Sequence, residues 1–337
     1  MKITSILNRF ELASLKRMFN NAKSVAKYSN HSIFYVLFDM AKAIIFDGVG
    51  YMEYNLFHFI DKPKQIRDTY IDFAHSQALF KLLNDREYMH IFSNKLEFNK
   101  EFKEYIGRDF IDAAHCSDAE FKKFLKGKKK IFAKPVDSCS GKGIYKSFDV
   151  NSKTNANQLH KFMIDNNLFC EETIIQHKQM NKLHDKAINT IRITTIRKNN
   201  KAYVMYAILR IGIGDMSVDN VGSGGIYTVL SKDGEIINPC WSDKTIKTYT
   251  VHPTNGFELI GFKVPYFKQA IELVKKAQLH SKHINYVGWD IAISEKGPVI
   301  VEGNELPGYD MPQNYFVTNS DEGLLLDFEK ILGKINA

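Results

Sequence analysis

Three oxygen-bearing side chains near the end of the chain, Asp290, Glu302 and Asn304, have the chemistry of a divalent-cation site. They lie in two apolar segments of alternating pattern, 286–294 and 298–304, which predict a β-hairpin. Glu302 and Asn304 share one face of their strand, because side chains alternate along a strand. Carboxylate and amide oxygens suit Mg²⁺, whose coordination is usually completed by water and substrate phosphates.

The connection between these segments, Glu295-Lys296-Gly297, fixes which residues face each other. If it is a three-residue loop with its glycine in the left-handed conformation, Ser294 pairs with Pro298. Asp290 then lies directly opposite Glu302, with Cβ atoms about 4.5–5.5 Å apart. Two carboxylates at that distance repel unless one is protonated or a cation lies between them. The alternatives are a solvated acidic strand face and the acid–base pair of a glycosidase.

A small polar loop in the middle of the chain has the character of a phosphate-binding flap. It starts at Lys134, directly after the apolar segment 131–133, and its small and basic residues include Ser140, Gly141, Lys142 and Gly143. Small residues let backbone N–H groups approach phosphate oxygens, and lysines add charge. The spacing is not that of a P-loop, and a plain hairpin turn is the alternative. Together with the amide beside the acidic pair, this loop favours metal–phosphate chemistry over sugar hydrolysis.

The elements that must position these groups change along the chain from helices to strands. Residues 1–92 show apolar residues at helical spacing, 93–178 are mixed, and 179–337 are rich in short strands. We expect three regions with these boundaries, the second and third being α+β sub-domains that clasp a cleft, and Trp289 buried behind the metal-binding strand. Turn signals and periodicity also predict a hairpin of 188–197 with 201–213 across Asn199-Asn200, a hairpin of 226–231 with 235–238, and a helix over 266–283.

Composition limits the class of protein and its partners. The 337 residues are 44% hydrophobic and 25% charged, as in a globular protein, and 46 basic against 38 acidic residues give a net charge of +8. This excess favours anionic ligands and also permits nucleic acid or an anionic membrane surface. The sequence contains no CxxC zinc motif, no HExxH and no nucleophile elbow. It also lacks the apolar stretch of a signal peptide or membrane span, so we expect a cytoplasmic protein without a transmembrane segment.

Taken in order, these segments resemble the ATP-grasp superfamily, and most closely its sugar-transfer-associated branch. The resemblance covers most of the chain. Its motifs are Asn94-Lys95, Lys134-Pro135 with 140–143, the segment 171–177, the segments 189–192 and 209–212, Asp219-Asn220 with Gly224-Gly225, and Asp290 with Glu302 and Asn304. The resemblance implies an α/β (α+β) ATP-grasp fold, in which two α+β sub-domains clasp a nucleotide cleft and carry a helical N-terminal extension.

The resemblance also implies a role for each group. Lys95, Lys134, Ser140, Gly141, Lys142 and Gly143 would bind the ATP phosphates; Glu171, Glu172 and His177 would bind the adenosine part; Asp290, Glu302 and Asn304 would hold two Mg²⁺; Arg192 and Arg210 would be catalytic. Glu171, with nearby backbone groups, would read adenine, while His177 is one candidate for the ribose beside Lys178 and His184. The arginines would neutralise charge on the transferred phosphoryl and carboxyl oxygens.

The relative placement of the two arginines depends on the hairpin between them. A two-residue turn at Asn199-Asn200 puts Arg192 and Arg210 on opposite faces, whereas a three-residue turn or a bulge puts them on the same face. The catalytic assignment requires the same face or a break in the strand; a surface salt bridge is the alternative for each arginine. Ligases such as D-alanine–D-alanine ligase carry an arginine two residues before the metal aspartate, where this chain has Gly288. Arg192, Arg210 or a lysine must then supply that charge.

The activity that the resemblance implies is an ATP- and Mg²⁺-dependent carboxylate–amine ligation through an acyl phosphate. It would act in cell-surface polysaccharide biosynthesis, for example by joining an amino acid to a sugar or sugar acid. The implied partners are small-molecule carboxylates and amines, including a sugar or sugar-linked carrier, and not nucleic acid. Two alternatives stay open: a small-molecule phosphotransferase on the same fold, and a non-catalytic nucleic-acid-binding protein that uses the +8 charge and the lysines of 122–130.

Overall fold

The computed structural model of the protein describes residues 15–135, 146–216 and 221–335, which form a mixed α/β structure on two antiparallel sheets. The helices are α1 (Leu15–Ser29), α2 (Ile33–Phe46), α3 (Tyr51–Leu56), α4 (Lys64–Arg67), α5 (Phe73–Leu83), α6 (His90–Ser93), α7 (Lys95–Glu101), α8 (Asp118–Leu125), α9 (Ala156–Asp165), α10 (Lys178–Asn181), α11 (Phe267–His280), α12 (Tyr315–Thr318) and α13 (Leu325–Leu332). The strands are β1 (Phe110–Ile111), β2 (Lys130–Pro135), β3 (Lys146–Asp149), β4 (Leu168–Glu172), β5 (Thr190–Lys198), β6 (Lys201–Ile211), β7 (Ile226–Val229), β8 (Cys240–Ser242), β9 (Lys247–Tyr249), β10 (Tyr286–Ser294) and β11 (Gly297–Asn304). Within these ranges no helix combines the length and the apolar character needed to cross a bilayer.

The smaller sheet has the strand order β1-β4-β2-β3. Ile131, Ala133 and Cys170 lie on one face and pack with apolar residues of α8 and α9 in a core of their own. The opposite face carries Lys134 on β2 and Glu171 on β4, because side chains alternate along each strand. The sheet therefore has one apolar face and one ionic face.

The larger sheet has the strand order β11-β10-β5-β6-β7-β8-β9. One of its faces packs against α11 and against a group of phenylalanine rings around Trp289. Trp289 is fully buried, as predicted, and the ring of Phe102 meets its ring edge to face at 5.2 Å between centroids. This core fixes the orientation of β10, so that alternate residues of that strand must point to the other face.

The other face of the larger sheet is shared by a second core and by polar side chains. Tyr206, Tyr227 and Tyr286 pack there with apolar residues of α1, α2, α3 and α13. Residues from the N-terminal helices and from the C-terminal part of the chain meet in this core, where the rings of His58 and Tyr315 stack at 4.4 Å. Because Tyr286 and Asp290 are four residues apart on β10, the candidate site lies on this same face.

The hairpin predicted across Asn199-Asn200 is found between β5 and β6, and its turn holds two residues. Lys198 pairs with Lys201, and the turn residues Asn199 and Asn200 have φ values of +49° and +58°. Asparagine tolerates this left-handed conformation, which the tight hairpin turn requires. The helix predicted over 266–283 is also found, as α11.

The hairpin predicted over 226–238 is only partly correct. Its turn forms, because Gly234 N donates to the carbonyl oxygen of Ser231 at 2.9 Å. Residues 235–238 are not a strand beside β7, however, and β7 pairs with β8 instead. Ile236 is fully buried, and its backbone N–H donates to the carbonyl of Phe262, so this segment is bound by a later part of the chain.

Candidate functional site

Asp290 and Glu302 lie opposite each other in the β10–β11 ladder, as the sequence predicts. The predicted loop was nevertheless wrong by one residue. The turn holds two residues, so that Ser294 pairs with Gly297. A bulge at Val301 then adds one residue to β11 before the acidic pair is reached. The turn is one residue shorter than predicted and the bulge adds one residue, so Asp290 still pairs with Glu302.

Asp290 is bound by arginines from two neighbouring strands. Arg192 donates from Nε to Oδ1 at 2.7 Å and from Nη2 to Oδ2 at 2.8 Å, a two-pronged pair. Arg210 donates from Nη2 to Oδ2 at 2.6 Å. Asp290 is almost fully buried, which raises its pKa, but the two guanidinium groups outweigh this effect and hold the pKa well below its ordinary value.

The two arginines share a face because β6 contains a bulge. With the two-residue turn alone, Ala207 would lie opposite Arg192. Met205 instead has no partner in the ladder, so that Ile208 lies opposite Arg192. Arg210 is two residues further along and points to the same side as Arg192. Of the geometries that the sequence left open, the bulge is the one that occurs.

Gly288 matters to this arrangement because the stem of Arg192 passes over it. A Cβ atom at Gly288 would lie 3.4 Å from Cδ of Arg192 and 3.3 Å from Cβ of Pro307. A long side chain at this position would therefore compete with Arg192 for space. Of the groups that the sequence offers to replace an arginine at position 288, Arg192 is the one whose stem lies directly beside Gly288, on the adjacent strand.

Glu302 carries the less compensated charge of the acidic pair. Within the described residues it has no ion pair of the kind that Asp290 makes. Burial and the Asp290 carboxylate raise its pKa, and the positive charge of Lys134 opposes that rise. The ionic face of the smaller sheet lies close to β11, because Arg108 binds both Glu171 and the β11 carbonyl groups of Ile300 and Val301.

The donor set around Glu302 fits a magnesium ion. Two carboxylates face each other, and Asn304 adds an amide whose nitrogen donates to the carbonyl of Gly288 at 3.4 Å. Oxygen ligands of this kind are those that Mg²⁺ prefers, and a cation would relieve the repulsion that raises the pKa of Glu302. In the described ranges, no group of three or more His, Cys, Asp or Glu residues is placed to hold a metal, so the site depends on the asparagine and on further oxygen ligands.

Glu171 is the centre of a second buried ionic cluster, across from the acidic pair. It accepts from Lys134 Nζ at 2.5 Å, from Arg108 Nη2 at 2.7 Å and from Asn99 Nδ2 at 2.6 Å. Burial alone would raise the pKa of Glu171, but the positive charges of Arg108 and Lys134 outweigh this effect and lower the pKa to about 2. The carboxylate is therefore ionised and orients the ammonium group of Lys134.

Arg108 connects the two sheets and was missed by the sequence analysis. Besides Glu171 on β4, it donates to the carbonyl oxygens of Ile300 at 2.6 Å and Val301 at 3.1 Å on β11. Val301 is the bulged residue, so the same guanidinium group holds the bulge that aligns Asp290 with Glu302. No motif surrounds Arg108, and only its pairing with a residue distant in sequence reveals its role.

The first predicted lysine, Lys95, begins helix α7. Asn94 caps this helix by accepting from the backbone N–H groups of Leu96 and Glu97 at 3.0 and 3.1 Å. Lys95 and Asn99 are four residues apart and share a helix face. Since Asn99 reaches Glu171, Lys95 lies on the side of α7 that faces the ionic cluster.

Of the remaining predicted residues, the structure describes Glu172 and His177. Glu172 is exposed at the end of β4. His177 is buried at the segment between the sheets, where its backbone N–H donates to Ile293 of β10 at 2.8 Å and its Nδ1 accepts from Gln179 N. The loop residues Ser140, Gly141, Lys142 and Gly143 lie outside the described residues.

Comparison with known proteins places the chain in a family. Residues 66–325 match the family model for sugar-transfer associated ATP-grasp proteins. The search of curated proteins gave no match. The chain is thus assigned by a family match that spans most of its length.

Similarity to solved structures is much weaker. A putative ATP-grasp superfamily protein from Archaeoglobus fulgidus is 13% identical, with 76% of this chain and 57% of that chain covered and a TM-score of 0.42. The L-amino acid ligase from Bacillus licheniformis is 12% identical, with 74% of this chain and 52% of that chain covered and a TM-score of 0.42. D-alanyl-alanine synthetase A from Vibrio cholerae is 13% identical, with 72% of this chain and 68% of that chain covered and a TM-score of 0.41. The chain spans little more than half the length of the first two. On the strength of the family match, the chain belongs to the sugar-transfer associated ATP-grasp family and has the ATP-grasp fold.

Proposed function

We propose that the protein is an ATP- and Mg²⁺-dependent ligase that joins a carboxylate to an amine through an acyl phosphate. The observation that carries this proposal is the convergence of two ionic clusters on facing sheets. One holds Asp290 with Arg192 and Arg210, and the other holds Lys134 with Glu171. Acidic ligands for a cation and basic groups for phosphate are both needed when a phosphoryl group is transferred.

The metal-binding part of the site would consist of Asp290, Glu302 and Asn304. Arg192 and Arg210 make three hydrogen bonds to the Asp290 carboxylate, so Asp290 would bind the ion through its remaining lone pair, on Oδ1. Bound Mg²⁺ would neutralise charge on the ATP phosphates. Arg192 and Arg210 hold positive charge beside it and would offset the charge that develops on the phosphoryl and carboxyl oxygens. Their present bonds to Asp290 keep both guanidinium groups in a fixed orientation, which lowers the cost of ordering them during the reaction.

The nucleotide-binding part would lie on the smaller sheet. Lys134 and Lys95 would bind phosphate oxygens, and the loop containing Ser140, Gly141, Lys142 and Gly143 would cover them. Because three donors already bind the Glu171 carboxylate, we assign Glu171 to the positioning of Lys134 and the reading of adenine to the backbone around it. Glu172 and His177, at the two ends of this segment, would border the adenosine.

The substrates are proposed from the family and from the charge of the chain. A family associated with sugar transfer suits a role in cell-surface polysaccharide biosynthesis, with a sugar, sugar acid or sugar-linked carrier as one substrate and an amino acid as the other. The net charge of +8 favours anionic small molecules. We propose that the reaction takes place in the cytoplasm, where ATP is supplied.

The test is to incubate the protein with ATP, Mg²⁺ and panels of carboxylic acids and amines, and to measure ADP and free phosphate. A carboxylate labelled with ¹⁸O should pass one labelled oxygen to the released phosphate, because the acyl phosphate breaks at its carbonyl carbon. A phosphorylated product without free phosphate would identify a phosphotransferase instead. Absence of ATP binding, with and without Mg²⁺, would refute both, and strong salt-sensitive binding of RNA or DNA would then point to a nucleic-acid-binding role.

A further inference from the structure

The first two helices expose a large apolar surface. On α2, Phe34 is 81% exposed, Phe46 74% and Ile45 62%, and Phe38 is also exposed. On α1, Leu15 and Phe19 are exposed as well. Single apolar residues at the surface are common, but a contiguous group of large side chains marks a place where the protein contacts something else. We call this surface the apolar face; it is made of the exposed side chains of Leu15, Phe19, Phe34, Phe38, Ile45 and Phe46.

The apolar face is not needed for the core of the protein. Helix α2 already buries its other side, through Val36, Met40 and Ala43, in the second core. Phe34, Phe38 and Ile45 follow each other at spacings of four and seven residues and therefore form one stripe along the helix. A helix that is apolar on both sides requires a second apolar environment.

Positive charge surrounds this stripe. Four exposed lysines lie on the two helices: Lys16, Lys23, Lys27 and Lys42. In the part of the chain that the structure describes, none of them forms an ion pair. Helix α1 contains no acidic residue. The Asp39 carboxylate of α2 is turned inward, where it accepts from Arg67 at 2.8 Å and from Tyr54 at 2.6 Å.

The lysines are also mixed with the aromatic rings. Nζ of Lys42 lies 4.5 Å from the centroid of the Phe38 ring, and Nζ of Lys23 lies 4.8 Å from that of Phe19. Since α1 and α2 contact each other and both contact α3, their exposed sides turn away from the protein together. The result is a helical surface with aromatic residues in its middle and free positive charge around them.

We propose that the apolar face binds the surface of an anionic lipid bilayer. Phenylalanine and isoleucine side chains enter the boundary between headgroups and acyl chains, while lysines reach the negatively charged headgroups. Two copies of this chain meeting through the same face would bring their lysines together, while neither helix exposes a carboxylate of its own, and this disfavours self-association there. The inference does not depend on the proposed ligase activity.

The experiment is sedimentation of the full chain with vesicles of phosphatidylcholine alone or with about 30% phosphatidylglycerol. We expect binding to the anionic vesicles only, weakened when NaCl is raised from about 0.1 to about 0.5 M. Phe34→Ser with Phe38→Ser should lower binding about tenfold or more. Lys23→Gln with Lys27→Gln and Lys42→Gln should also weaken it and reduce its salt dependence.

Ile237→Ser is the matched control, since Ile237 is 56% exposed but lies outside the apolar face; it should bind vesicles as the unaltered chain does. Unfolding temperatures of all variants check that they are folded. The proposal is overturned if anionic vesicles are not bound, or if the double Phe variant binds them equally well. It is also overturned if that variant dissociates a dimer instead, or if vesicles bind only after residues 1–14 are removed, because the face would then be covered by protein.

Discussion

Arg192 and Arg210, on adjacent strands, both donate hydrogen bonds to the carboxylate of Asp290. They lie on the same face because the register between their strands shifts by one residue at Met205. One buried carboxylate and two partly buried guanidinium groups thus form one unit with a net charge of +1. Such a unit is sensitive to the loss of its central member, because two guanidinium groups would remain close together without the carboxylate that binds both of them.

Asp290→Asn should therefore reduce both stability and activity. We expect the free energy of unfolding to fall by about 3 kcal/mol and ATP turnover to fall by about 100-fold or more. Denaturant titration and an ADP-release assay measure the two effects. Asp327→Asn, which breaks the exposed pair with Lys330, is the control and should change neither by a measurable amount. Full turnover in Asp290→Asn would contradict the proposed site.

Glu171 and its neighbour Glu172 offer a matched pair of substitutions. Glu171→Gln should lower the free energy of unfolding by about 3 kcal/mol at neutral pH, because it leaves Arg108 and Lys134 without a buried counter-charge. The pKa of Glu171, about 2, lies below the ordinary value, so its contribution is complete above the ordinary value and is lost as pH falls towards 2. Denaturant titrations should show the difference at pH 7 and a smaller one at pH 3. Glu172→Gln, at an exposed position, should be neutral.

Gly303 lies between Glu302 and Asn304, the two proposed metal ligands of β11, and touches the aromatic core. A Cβ atom there would be 2.8 Å from ring carbons of both Phe92 and Phe98. Gly303→Ala should therefore cost about 1–3 kcal/mol of stability and weaken Mg²⁺-dependent ATP binding, because β11 must shift. Calorimetry of ATP binding with and without Mg²⁺ tests this. Gly308→Ala, whose Cβ would meet its nearest atom at 3.4 Å, should be tolerated.

Asp243 should oppose folding at neutral pH. Burial, with a smaller effect of Asp310, raises its pKa to about 6. Between about pH 4 and pH 6 the native state therefore holds a proton that the unfolded chain has already released. Stability therefore falls as pH rises from about 4 to about 6. Asp243→Asn should raise the free energy of unfolding by about 1–2 kcal/mol at pH 7.5 and leave it unchanged at pH 3.5. The exposed Asp233→Asn should have no effect at either pH.

The acidic pair could be predicted from sequence because alternation along a strand and a short turn leave few possible registers. The bulges at Met205 and Val301 could not, since an extra residue in a ladder leaves the local apolar pattern almost unchanged. The cluster around Glu171 could not be predicted from the sequence for another reason. Asn99 and Arg108 lie 72 and 63 residues away from it in the chain, and only the packing of the two sheets brings them together.

The link through Arg108 also constrains how the cleft opens. One guanidinium group holds a carboxylate of the smaller sheet and two carbonyl oxygens of the larger one. We therefore expect the two sheets to tilt about this link rather than to separate, because separating them would break the bonds of Arg108 to Glu171 or to Ile300 and Val301. Nucleotide entry should then proceed by tilting of the smaller sheet, with the spacing between Glu171 and Val301 kept constant throughout.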